Sequence, residues 1–140
     1  MQRKTQYLNT DLELRSHEPL TTLCHEFEKT CCILNHTQAD NGHWHAIIES
    51  NLSEDSGANL AIQAMLAVLP QLSAQAKRQW DNCYLREFDL GFECGDTWAY
   101  PYALTAESVR LIAEANCSLS VTLYPFRTSD AGGNKSLSFN

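Results

Sequence analysis

Along much of this chain, residues two apart share a polarity, and along other stretches residues three or four apart do. From about Thr5 to Arg15, Leu8, Thr10, Leu12 and Leu14 alternate with Tyr7, Asn9, Asp11, Glu13 and Arg15. That is the period of a strand with one buried face. Ser16 to Pro19 open a helix, since proline is tolerated in a first turn. Leu20, Leu23, Cys24, Phe27 and Cys31 then recur at helical spacing as a core-facing stripe. Ala39-Asp40-Asn41-Gly42 predicts a hairpin, because Asn-Gly supplies positive φ angles. In the strand that follows, Trp44, Ala46 and Ile48 share one face, and His43 and His45 the other.

The second half repeats the alternation of periods. Asp55-Ser56-Gly57 is expected to cap a long helix with Ile62, Met65, Leu66 and Leu69 on its buried side. Pro70 kinks or restarts it, and a second segment carries Leu72, Ala76 and Trp80. Tyr84 to Glu93 alternates Phe88, Leu90 and Phe92 with Glu87, Asp89 and Glu93. An aromatic loop from Gly95 to Leu104 leads to Thr105, a helix N-cap, and a stripe of Val109, Ile112 and Ala113. Asn116 suits a left-handed helix stop. A last strand is expected to turn Leu119, Val121 and Leu123 inward and Ser118, Ser120 and Thr122 outward, before Pro125 ends it.

The order strand, helix, strand, strand, helix, strand is that of a ferredoxin-like βαββαβ fold of the α+β class. An additional C-terminal αβ unit would extend the sheet or cover an edge. One-sided alternation in the strands predicts an antiparallel sheet with helices on one face, since parallel strands covered on both sides read as continuous apolar runs. Residues 1–126 form the expected single domain, and the Ser/Gly/Asn-rich residues 127–140 a mobile C-terminal tail.

Composition narrows the function classes. With 44% hydrophobic and 19% charged residues the chain is globular in character. No apolar run approaches the ~18 residues of a membrane span, and no signal core follows Met1, so a cytoplasmic protein without membrane contact is expected. A net charge of −7 with scattered basic residues disfavours nucleic acid. The six cysteines form no C-x-x-C pair or zinc spacing and are expected to be reduced, mostly buried small hydrophobes.

No catalytic residue stands out. There is no G-x-S-x-G, phosphate-cradling glycine loop or H-E-x-x-H. Cys24 and His25 are neighbours on a helix, so their side chains diverge by ~100°. The expectation leans away from an enzyme. Two surfaces are instead candidates for binding. The sheet face away from the helices should gather Asp11, Glu13, Glu87, Asp89 and Glu93 with His43 and His45. A hairpin loop of two or four residues would add His36, Gln38 and Asp40, whereas a loop of three would reverse that parity. Such a face suits a basic protein partner or a second copy of the chain. His43-x-His45 also has the spacing of a divalent-metal site, although no cofactor is required. The second candidate is the loop of Trp98, Tyr100, Pro101 and Tyr102, whose rings could anchor a ligand or partner or cover the open end of the core.

From Trp44 onward the chain resembles an uncharacterised bacterial family, domain of unknown function 4279. The resemblance rests on Trp44-His45-Ala46-Ile47-Ile48-Glu49-Ser50 before an acidic turn and long helix, on Leu104-Thr105-Ala106-Glu107-Ser108, and on Ser118-Leu119-Ser120-Val121-Thr122-Leu123-Tyr124. These are apolar positions rather than reactive groups, so the resemblance implies a fold and no activity. The resulting expectation is a bacterial protein of the immunity or regulator type that acts by protein contact through an acidic sheet face. The alternative is a small-ligand binder or enzyme using the loop at residues 98–102.

Overall fold

The computed structural model describes residues 3–126. Its elements in chain order are β1 (Gln6–Ser16), α1 (Thr21–Phe27), β2 (Cys31–Gln38), β3 (Trp44–Ser50), α2 (Gly57–Leu66), α3 (Ala74–Asp81), β4 (Leu85–Glu93), α4 (Ala106–Glu114) and β5 (Ser118–Tyr124). The strands make one mixed sheet in the order β2-β3-β1-β4-β5. The first four pair antiparallel, whereas β5 runs parallel to β4 after the α4 crossover. The strand alternation therefore does not mark an all-antiparallel sheet. A parallel strand shows continuous apolar sequence only when both its faces are covered, and β5 has neither face fully covered.

Alternation along β1 buries Thr10, Leu12, Leu14 and Ser16. Together with Ala46, Ile48, Phe88, Leu90 and Phe92, these strand residues meet Leu23, Phe27, Ile62, Met65 and Trp80 of the helices in one hydrophobic cluster. Ser73 caps α3 by accepting the Ala76 N–H on its hydroxyl, and Thr105 caps α4 through Ser108 N–H. Asn116 takes φ +57 at the stop after α4. Pro70 lies in a single 3-10 turn between α2 and α3, as its missing N–H requires.

Four local expectations are corrected. The first helix ends at Phe27, about one turn early: Glu28 and Thr30 donate back to Cys24 and Phe27 carbonyls, and Cys31 opens β2 instead, still buried. The hairpin loop has three residues. Ala39 N–H donates to His43 O, and Gly42 at φ +88 closes the turn onto Ala39 O. Parity reverses accordingly, so Gln38 pairs with Trp44 and His36 with Ala46, on the helical side. There the His36 ring lies 5.2 Å from Trp44, and its Nε2 accepts Leu20 N–H.

A register shift between Tyr7 and Asn9 turns Tyr7 toward the helices as well, where its ring stacks 5.3 Å from Tyr102. Finally, Leu119, Val121 and Leu123 do lie on the helical side, opposite Phe88, Leu90 and Phe92, but they remain 45%, 56% and 64% exposed. The cause is the placement of α4, which packs Ser108 and Ile112 against α2 and the core. Val109 and Ala113 are left exposed, and β5 projects beyond the helical layer. The segment expected to form a tail lies outside the described residues.

Candidate functional site

Register brings the acidic side chains into two lateral rows on the face away from the helices. Asp11 of the central strand sits directly between Glu49 on β3 and Asp89 on β4, with Ser120 of β5 next in line. One step along, Glu13 lies between Ile47 and Glu87, and Ser118 follows. A third row places His45 beside Arg15. Glu93 is at the far end of β4, where it accepts a hydrogen bond from Gln6.

Like charges directly opposite one another destabilise a sheet, and the neighbours here compensate with dipoles more than with cations. Asn9 Nδ2 donates to Asp11 Oδ1 at 3.3 Å and to Glu49 Oε2 at 3.1 Å. Asp89 accepts from Ser120 Oγ at 3.1 Å and from Thr122 Oγ1 at 2.8 Å. Arg15 pairs with Glu13 at 2.8 Å. Among the described residues no ion pair reaches Glu49, Asp11, Asp89 or Glu87. Asp11 registers the crowding. Burial, then its hydrogen bond with Glu49, then the charges of Glu49, Asp89 and Glu13 push its carboxyl up to about 7.

The two histidines of the proposed metal pair have different surroundings. His43 Nε2 lies 3.1 Å from His17 Nδ1, and His43 Nδ1 lies 2.9 Å from the Tyr84 hydroxyl. His45 sits on β3 in register with Arg15 and Thr37. Among the described residues no three His, Cys, Asp or Glu side chains are arranged to hold a metal ion.

The aromatic loop has two parts with different roles. Tyr102 is structural: its ring lies against Tyr7 and Phe92, and its hydroxyl accepts Ala58 N–H at 2.8 Å, at the start of α2. Gly57 fits this contact, since a Cβ there would lie 3.2 Å from the Tyr102 hydroxyl and Gly57 itself takes φ +84. Trp98, by contrast, is 98% exposed, and Tyr100 partly so. Tyr100, Tyr102 and Leu104 wall a trough of about 490 Å³. Its floor is Leu90, Phe92, Leu119, Val121 and Leu123, with Thr5 and Cys94 at its margin.

Cys24, Cys31 and Cys83 are buried, Cys94 and Cys117 partly so, and all six cysteines are free. Burial pushes the Cys24 thiol up to about 12 and those of Cys83 and Cys117 up to about 11, away from the thiolate a nucleophile needs. Cys32 alone is exposed.

Glu49 completes the acidic row although sequence reasoning did not select it. Its signal was present, as it alternates with Ala46 and Ile48. The contact of His17, His43 and Tyr84 joins three chain segments and carries no local signal. Among the described residues no helix is long and apolar enough to cross a membrane. No family model matches the chain, and no match is found among the curated proteins or the solved structures.

Proposed function

We propose that this is a non-enzymatic protein-recognition domain of the immunity or regulator type, bacterial and cytoplasmic, which presents its acidic sheet face to a basic partner. The observation that carries the reading is the row Glu49, Asp11 and Asp89, held side by side on three strands without a cation among the described residues. Such a row lowers the stability of the free protein and is relieved when positive charge arrives. Complementary potentials then favour fast, salt-sensitive association. The architecture offered is a ferredoxin-like βαββαβ unit, supported by the antiparallel order β2-β3-β1-β4. A distant kinship with domain of unknown function 4279 rests on the residues from Trp44 to Tyr124.

The test compares two variants of equal charge in retention of basic proteins from a bacterial extract. One neutralises Asp11, Glu13, Glu87 and Asp89 together. The other neutralises Glu28, Asp55, Asp81 and Glu114, which are exposed elsewhere. The first should lose retention and its weakening between about 0.05 and about 0.3 M salt, while the second keeps both. Equal retention by the two would reject the acidic face as the recognition surface.

The trough supports a second reading, a small apolar ligand held against Tyr100 and the β5 aliphatics. Saturable binding of a medium-chain fatty acid, reduced at least tenfold by Leu123→Asp, is expected on that reading. Binding unaffected by the substitution would dismiss it.

A further inference from the structure

The outer edge of the sheet at β5 differs from the edge at β2. Natural proteins blunt an exposed edge with charge, proline, a bulge or brevity. β2 has a register irregularity between Ile33 and Asn35, followed by the polar run Asn35-His36-Thr37-Gln38. β5 has none of these devices. Ser118–Tyr124 is seven residues long, pairs with β4 without a register shift, and contains no charge, glycine or proline. Among the described residues no strand lies on its other side. Leu119, Val121 and Leu123 stand half exposed along it.

The pattern of that strand identifies the occupant. Read about Val121, Ser-Leu-Ser-Val-Thr-Leu-Tyr is close to symmetric in polarity. An antiparallel copy would set Leu119 opposite Leu123, Val121 opposite Val121, and Ser120 opposite Thr122. A twofold axis normal to the sheet does this and keeps like faces together, the geometry of an isologous dimer. Charge agrees. With a net −7, two copies repel over most of their surfaces, but an uncharged strand lets them approach without paired carboxylates.

We infer that the protein forms a homodimer by antiparallel pairing of β5 with β5 of a second copy, joining two five-stranded sheets into one of ten. Six aliphatic side chains then form one strip between the two α4 helices, and the two troughs adjoin. Both acidic faces lie on the opposite side and stay free. About 23 Å of paired strand is a small interface, so micromolar dissociation is expected.

Sedimentation of the full chain from about 1 to about 200 µM, with reductant present to silence Cys32, should show dimer replacing monomer over that range. Val121→Lys should remain folded by circular dichroism, since Val121 is on the surface, and stay monomeric. Hydrogen exchange at the outward β5 amides should slow as wild-type concentration rises. A monomer at every concentration overturns the inference. So does a dimer that persists in Val121→Lys, or β5 protection independent of concentration, which would mean that residues 127–140 or another group covers the edge.

Discussion

The centre of the sheet and its β5 margin carry the same alternating pattern, yet their apolar residues have different fates. Leu12, Leu14, Ile48 and Phe88 are wholly buried, whereas Leu119, Val121 and Leu123, in register with that same face, are about half exposed. The difference lies in the layer above. α1, α2 and α3 cover the centre, while α4 leans toward α2 through Ser108 and Ile112 and leaves β5 overhanging. Alternation tells which way a side chain points. It does not tell whether anything stands over it.

Truncations at the two places should separate most widely. Phe88→Ala is expected to lower stability by about 3–5 kcal/mol through lost burial and a residual cavity. Leu123→Ala in dilute protein should change it by no more than about 0.5 kcal/mol. Chemical denaturation of both variants checks this, and comparable losses would show that β5 is covered after all.

Asp11→Asn addresses the other face of the same strands and has an intermediate expected effect. Because the folded state holds the Asp11 proton up to about 7 against an ordinary value of 3.8, its contribution to stability is full below about pH 4 and lost as pH rises through 7. Asparagine removes that loss. The variant should match wild type near pH 4 and exceed it near pH 8, by on the order of 1 kcal/mol once screening of a half-exposed carboxylate is allowed for. Melting temperatures at the two pH values measure this, and a variant less stable at pH 8 would contradict the origin given for the raised carboxyl.

Much of the fold was legible because its signals are local. Thr105 and Asn116 act within one turn, and Asp11 and Glu13 alternate against Leu12 and Leu14. What escaped depended on counts of one residue or on contacts far along the chain. A three-residue hairpin loop moved His36 and Gln38 to the helical side, and one irregularity beside Leu8 moved Tyr7. Cys31 fitted the helical stripe because its burial in β2 satisfies the same spacing. The acidic row could be anticipated from alternation, but the trough could not, since it arises from where α4 comes to rest.

The raised Asp11 carboxyl beside Glu49 has a consequence for any assembly on this surface. A cation settling beside Asp11 favours the ionised carboxylate and so expels the carboxyl proton. By reciprocity, acidity must oppose the cation's arrival. A complex made here would loosen as its surroundings fall below neutrality, so the grip itself would report the pH of the compartment.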